Sequence, residues 1–169
     1  EAHLDRLMRS LQIVEVEPPL SRQQLAATAH ELVAHNHRLL DPNDDLGLSM
    51  FVTPGVYATM AQGAAPGPTL CLHTYPLPFA NWADNYRQGD ELTVVDMRQV
   101  PATSWPAELK CRSRMHYALA ERQARKSRPG SRPLLLDQAG FINEPPTANV
   151  VMFHSGHWHI PPASRTLPG

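Results

Sequence analysis

The chain has 169 residues, 42% of them hydrophobic and 18% charged, which is typical of a globular protein and excludes a disordered one. Its formal net charge of −1 gives no reason to expect nucleic acid or an anionic membrane as a partner. The sequence contains no apolar run near the roughly 20 residues of a membrane span. Cys71 and Cys111 lie in apolar stretches without metal-ligand spacing, so we expect reduced thiols and a cytoplasmic protein.

The first half of the chain predicts two helices followed by two strands. Apolar residues at helical spacing indicate an amphipathic helix over residues 3–13, and Ser21 with Gln24 three residues later forms a capping box. That box begins a second helix, which we expect to reach about Leu40. After the turn cluster DPNDD, the stretches LGLSMFVTPG and TLCLHTYP favour strands on either side of the loop 61–68.

A proline-rich extended segment, YPLPFANW, favours a linker near residues 75–81. We therefore expect two domains, 1–77 and 78–169. The chain opens as EAHLDRLMRS, without an initiator methionine and already in a helical pattern, and it stops at LPG after a proline-rich stretch. These ends favour an internal fragment in which both domains are incomplete.

The second half mixes helices and strands without strict alternation, which predicts an α/β or α+β fold. NWADNYRQG favours a short helix that ends at Gly89, and ELTVVDMRQV alternates as a strand. A longer helix is predicted over about residues 107–125, with the short buried strand PLLLD after it. The stretches FINEP, NVVMFHSG and HWHIPP complete the predicted strands.

Lys110 is the first candidate for chemistry, because the predicted helix places it in the first turn, with Arg114 one turn further along. The helix dipole and Arg114 both disfavour a charged ammonium, and a neutral amine is what Schiff-base chemistry requires. The alternative is a solvated polar face, which the same spacing also fits. The predicted buried face consists of Cys111, Met115, Ala118 and Leu119, and the polar face of Lys110, Arg114, Tyr117 and Glu121.

Two further stretches carry titratable side chains. In LLLDQAGFINEPPTAN, Glu144 stands between apolar Ile142 and a proline pair. It is either an exposed carboxylate at a strand end or a buried carboxylate held by a rigid turn to meet a cationic nitrogen. In FHSGHWHIPP, His157 and His159 share a strand face, but no acid or cysteine completes a zinc pattern, so we expect no bound metal.

Four stretches together resemble the class IV aminotransferases, the fold type IV enzymes that use pyridoxal phosphate. HLDRLMRS resembles the helix after that family's phosphate-binding arginine, and ELKCRSRMHYALAERQA resembles the segment that opens with its cofactor lysine. LLLDQAGFINEPPTANVVMF resembles its Leu-Leu-Leu-Asp, Gly, Glu and Asn signature, and IPPASRTLPG resembles its Thr-Pro-Pro…Leu-Pro-Gly stretch. The family contains branched-chain and D-amino acid aminotransferases and aminodeoxychorismate lyase.

The resemblance implies roles for five residues. Lys110 would bind pyridoxal phosphate covalently and then carry the substrate proton. Glu144 would lie against the pyridine nitrogen and keep it protonated. Arg114 matches an arginine found at this offset in some lyase-like members and would lie near the ring. Asn149 matches the signature asparagine that organises the turn around the cofactor, and Thr147 offers the one hydroxyl of the link between Glu144 and Asn149.

Departures from the family pattern leave the substrate open. Met115 stands where branched-chain enzymes have a tyrosine near the phenolic oxygen of the ring, and Tyr117 is close to that position but not aligned. Pro54 replaces the arginine of a Thr-Arg-Gly found in several members. Glu-Pro-Pro-Thr-Ala-Asn stands where many members have Glu-Gly-Ser-Gly-Ser-Asn. These differences argue against a standard branched-chain enzyme.

The expected function is amino transfer between an amino acid and a 2-oxo acid. The alternatives are a lyase of the aminodeoxychorismate type, which uses the same lysine to release pyruvate, and a non-catalytic homologue that keeps the fold. Family members are homodimers, so a second copy is the implied partner. The phosphate arginine should precede Glu1 and the Gly-Ile-Thr backbone should follow Gly169, so we expect this piece alone to bind the cofactor poorly.

Overall fold

The structure is a computed structural model that describes residues 1–60 and 67–167. Contacts divide the chain into two compact units, Glu1–Trp82 and Ala83–Gly169. The domain limits expected from the sequence stay a prediction, because these units are defined by contacts within this chain alone. Helices and strands are mixed in each unit, as expected for an α/β (α+β) protein.

The first unit begins with two helices. Helix α1 spans Ala2–Ile13 and helix α2 spans Arg22–His37. The predicted capping box is present at α2, where the Ser21 hydroxyl accepts the Gln24 N–H at 3.3 Å and the Gln24 side chain accepts the Ser21 N–H at 2.9 Å. Helix α2 ends before the predicted Leu40, as the chain approaches the turn cluster DPNDD.

Strand β1 (Leu46–Thr53) pairs with strand β2 (Thr69–Pro76) in an antiparallel sheet, which confirms both predicted strands. Asn36 Nδ2 donates a hydrogen bond to Thr74 Oγ1 at 2.8 Å. This bond ties the end of α2 to the sheet. The predicted loop between the strands falls mostly on residues 61–66, which lie outside the described part of the chain.

Helix α3 (Phe79–Gln88) is followed by Gly89, as predicted, and a strand–helix–strand motif comes next. Strand β3 (Leu92–Arg98) and strand β4 (Arg132–Leu136) are parallel neighbours, connected through helix α4 (Met115–Ser127). The helix that connects two parallel strands runs back along them, so the start of α4 lies near the end of β3. Helix α4 packs on both strands, and the core there consists of Val95, Ala120, Ala124 and Leu135.

Helix α4 differs from the prediction at its start and in its buried face. It begins at Met115, later than predicted, so Lys110 lies outside its first turn. The predicted buried face is wrong: Met115 is 71% exposed and Leu119 is 42% exposed, whereas Ala120 and Ala124 are fully buried. The small alanine side chains let the helix approach both strands closely, which larger side chains on that face would prevent.

Regular structure is sparse after β4. FINEP forms a single bridge, between Ile142 and Leu136, instead of the predicted strand. Strands β5 (Met152–His154) and β6 (His157–His159) form an antiparallel hairpin, within the predicted NVVMFHSG and HWHIPP. Both cysteines are free thiols. Within the described residues, no three His, Cys, Asp or Glu side chains are grouped as metal ligands, and no helix has the length and apolar character needed to span a membrane.

Candidate active site

A tight turn after β4 reverses the chain toward Glu144. Asp137 Oδ1 accepts the N–H groups of Ala139 and Phe141, both at 2.9 Å. An aspartate that binds the backbone two residues ahead is a common means of stabilising such a turn. Gly140 has a φ of +91°, a conformation that glycine adopts without the steric cost of a Cβ atom.

The returning segment places Glu144 beside the core. The Leu135 N–H donates to the Glu144 carbonyl at 3.3 Å, and the Asn143 N–H donates to the Leu135 carbonyl at 3.0 Å. The side chain of Glu144 is buried, with the residue 4% exposed. Of the two alternatives for this residue, the structure therefore has the buried carboxylate held by a turn.

Three donors surround the Glu144 carboxylate. Oε1 accepts hydrogen bonds from Gln99 Nε2 at 2.6 Å and from Tyr117 Oη at 2.7 Å, and Oε2 accepts the Leu167 N–H at 3.1 Å. A buried acidic side chain is costly unless it is hydrogen-bonded, and these donors offset that cost. Gln99 directly follows β3 and Tyr117 lies in the first turn of α4, so the strand–helix–strand motif brings them together.

Gln99 and Tyr117 are also bonded to each other. Gln99 Nε2 donates to Tyr117 Oη at 2.7 Å, and Gln99 Oε1 accepts the Val100 N–H at 3.0 Å. Burial raises the pKa of the Tyr117 phenol, and the bond to Glu144 raises it further, although the bond from Gln99 acts in the opposite direction. The phenol therefore stays protonated at neutral pH and remains a donor to the carboxylate.

Arg114 contacts this cluster from the start of α4. Its guanidinium carbon lies 4.6 Å from the centre of the Tyr117 ring, within the range of a cation–π interaction. Its Nη2 atom donates a hydrogen bond to the Pro146 carbonyl. Burial lowers the pKa of the neighbouring His116, and the charge of Arg114 lowers it further, so this imidazole is neutral at pH 7.

Asn149 and Thr147 lie in different surroundings. Asn149 Nδ2 donates to the Leu167 carbonyl at 3.0 Å, and the N–H of Leu167 donates to Glu144. Thr147 is exposed, and its hydroxyl accepts a hydrogen bond from Arg132 at the beginning of β4. The structure therefore links Asn149 to Glu144 through one backbone residue, whereas Thr147 contacts Arg132.

Lys110 lies in the irregular segment between β3 and α4, and its side chain is exposed. The effect of a helix dipole falls off within the first turn, and α4 begins only at Met115. The dipole argument for a neutral amine therefore does not apply to this lysine.

Gln99 and Tyr117 contact Glu144 in the structure, although neither is among the site residues predicted from the sequence. A signal existed for Gln99, since it is a polar residue directly after a strand, and ligands of open α/β sheets bind at the carboxyl ends of strands. The helical spacing predicts Tyr117 on the polar face, because the apolar residues nearest to it, Met115, Ala118 and Leu119, define the predicted buried face. Its half-buried ring packs instead against the core.

The turn at Asp137 gives a testable dependence on pH. Burial acts to raise the pKa of this carboxyl, but hydrogen bonds from the Phe141 N–H, from Arg165 and from the Ala139 N–H outweigh it, so the pKa is lowered. A lowered pKa in the folded state adds stability above the pKa of the unfolded chain, and that stability is lost as the pH falls through the folded value.

We therefore expect Asp137→Asn to lower the melting temperature at neutral pH, with a difference from the wild type that shrinks as the pH falls toward about 3. Circular dichroism melts across this range measure it. Asp44→Asn, at an exposed turn residue, is the matched control and should show no such trend. If the difference in melting temperature between Asp137→Asn and the wild type stayed constant with pH, the role of the Asp137 charge would be contradicted.

The whole of residues 1–169 matches the family model of the class IV amino-transferases. The chain therefore belongs to the class IV aminotransferase family. It is 23% identical to the probable branched-chain-amino-acid aminotransferase of Rickettsia felis, over 99% of this chain and 54% of that protein. The corresponding protein of Rickettsia bellii is 22% identical, over 99% of this chain and 55% of its own length. The chain thus spans about half the length of these curated relatives.

Solved structures show the same fold. The branched-chain amino acid aminotransferase of Escherichia coli superposes with a TM-score of 0.81 at 19% identity, over 99% of this chain and 54% of that chain. The PLP-form of the branched-chain amino acid aminotransferase from Thermobaculum terrenum gives a TM-score of 0.77 at 17% identity, over 98% of this chain and 52% of that chain. These likenesses confirm the fold type IV aminotransferase-like architecture expected from the sequence.

Proposed function

We propose that this protein moves an amino group between an amino acid and a 2-oxo acid, with pyridoxal phosphate as its cofactor. The observation that carries the proposal is the buried Glu144 carboxylate, which lies in the family's signature stretch and accepts three hydrogen bonds. The names of the relatives support it, since both curated relatives are probable branched-chain-amino-acid aminotransferases. The PLP-form of the Thermobaculum terrenum enzyme supports the choice of cofactor.

The residues around Glu144 fit the pyridine ring of this cofactor. A carboxylate offers about four lone-pair positions, and Gln99, Tyr117 and Leu167 use three of them. One position is left, which suits the single N–H of a protonated pyridine ring. With the cofactor bound, Glu144 would keep that nitrogen protonated, because a negative charge within hydrogen-bonding distance favours the cationic form of the ring.

Lys110 is the residue proposed for covalent attachment and for proton transfer. When bound, the cofactor would supply a protonated ring able to accept the electron pair that is released as the substrate Cα–H bond breaks. The Lys110 amine would take the proton from the substrate Cα as a general base and deliver it to C4′ of the cofactor as a general acid. The sequence contains only two lysines, and the other, Lys126, lies in the last turn of α4.

The remaining site residues act on Glu144 and on the ring. Arg114 supplies positive charge beside Tyr117, and Asn149 holds the Leu167 backbone whose N–H binds Glu144. We also propose that Thr147, in the short segment between Glu144 and Asn149, contacts the cofactor. We further place the protein in the cytoplasm as a homodimer with two domains, which the family resemblance and two free thiols support.

Two assays on one preparation of the whole protein test the proposed reaction, because residues 1–169 span about half the length of the curated relatives. With pyridoxal phosphate, a panel of L- and D-amino donors and 2-oxoglutarate, we expect formation of glutamate, measured by chromatography. Branched-chain amino acids are tested first, because both curated relatives are named as probable branched-chain-amino-acid aminotransferases. In the second assay, pyruvate release from 4-amino-4-deoxychorismate without amino transfer would replace this proposal by the lyase. Neither product, together with no binding of pyridoxal phosphate, would leave a non-catalytic homologue.

A further inference from the structure

The two oxygens of the Glu144 carboxylate have unequal surroundings. Oε1 accepts two hydrogen bonds, from Gln99 Nε2 at 2.6 Å and from Tyr117 Oη at 2.7 Å. Oε2 accepts one, from the Leu167 N–H at 3.1 Å. Each carboxylate oxygen has two lone pairs, so Oε1 is saturated and Oε2 keeps one acceptor position.

The hydrogen bonds around Oε1 also have a defined direction. The Val100 N–H donates to Gln99 Oε1 at 3.0 Å, which identifies the amide nitrogen of Gln99 as the atom that faces Tyr117 and Glu144. Because Gln99 donates to the phenol oxygen, the phenol hydrogen is directed to Glu144. The guanidinium of Arg114 over the Tyr117 ring restricts the ring in turn.

We propose that Gln99 and Tyr117 are positioning residues, which bind Oε1 of Glu144 and thereby present Oε2 to the ring nitrogen of the cofactor. This inference rests on the proposed function of Glu144. Neither Gln99 nor Tyr117 is proposed to contact the substrate. Without these two donors the carboxylate rotates to other orientations, and its hydrogen bond to the ring nitrogen weakens.

The test compares the affinity of the whole protein for two ligands: pyridoxal phosphate and an analogue in which C–H replaces the ring nitrogen. Both attach to the same lysine, so the ratio of their dissociation constants isolates the bond between Glu144 and the ring. The variants are Tyr117→Phe, which keeps the ring under Arg114, and Gln99→Met, which keeps the side-chain length. Fluorescence titration gives the affinities without any measurement of turnover.

The chain offers matched controls in the same unit. Tyr86→Phe changes an exposed tyrosine of α3, and Gln123→Met changes a glutamine of α4 that bonds Asp96. Both should keep the wild-type ratio. The wild type should prefer pyridoxal phosphate, and Glu144→Gln should abolish the preference. Tyr117→Phe and Gln99→Met should each reduce the preference for pyridoxal phosphate roughly tenfold, with little change in affinity for the analogue.

Three results would overturn the proposal, and they can be told apart. If the wild type binds both ligands equally, the role of Glu144 is wrong and the inference fails with it. If the wild type discriminates and the Tyr117 and Gln99 variants discriminate equally well, Glu144 keeps its role and only the positioning role is wrong. If a variant weakens both ligands by the same factor, that residue supports the fold and does not direct the carboxylate.

Discussion

Replacing Lys110 by alanine is expected to abolish amino transfer, with a loss of roughly 10³-fold or more. The reason is that one amine performs two tasks in the proposed reaction, covalent attachment of the cofactor and transfer of the Cα proton. No other lysine lies near it in the chain, since the only other one is Lys126 at the far end of α4. Rates of glutamate formation in the wild type and the variant measure the loss.

Lys126→Ala is the matched control, and we expect it to retain wild-type activity and the absorbance of the bound cofactor. Borohydride reduction followed by peptide mapping gives a second, independent measurement, because it fixes pyridoxal phosphate on the lysine that holds it. Residues 1–169 contain two lysines, so the labelled peptide distinguishes Lys110 from Lys126. Label on Lys126, or an active Lys110→Ala variant, would refute the assignment.

The elements with local signals in the sequence were predicted well. The capping box at Ser21 begins α2 in both the prediction and the structure, because the side chains that define it are three residues apart. Helix α4 has no such signal: Arg114 precedes it without a side-chain hydrogen bond to the helix end. The amphipathic spacing of the preceding residues therefore extended the predicted helix back past Lys110.

The surroundings of Glu144 depend on contacts that no local pattern contains. Gln99 and Tyr117 are separated from Glu144 by 45 and 27 residues. The signature stretch indicated that Glu144 is a candidate, and the proline pair after it indicated a stiff turn. The identity of its donors follows only from the pairing of β3 with β4 and the packing of α4 on them, which the sequence leaves undetermined.

Truncating Leu135 to alanine should destabilise the second unit strongly, by about 2–5 kcal/mol. Leu135, the fourth of the five residues of β4, is fully buried against Val95, Ala120 and Ala124. Two of these neighbours are alanines, whose short side chains cannot move into the space that Leu135 would leave, so a cavity should remain. Urea denaturation followed by circular dichroism measures the change in midpoint, with the slope expected to stay constant.

The same variant links the core to the site, because the Leu135 backbone bonds both Asn143 and Glu144. Loosening β4 should therefore increase hydrogen exchange at the amides of Leu135 and Asn143. Leu119→Ala is the control of the same residue type, at a position 42% exposed on α4, and should cost only about 0.5 kcal/mol. If Leu135→Ala and Leu119→Ala lowered the free energy of unfolding equally, β4 and α4 would not form the core that holds Glu144 in place.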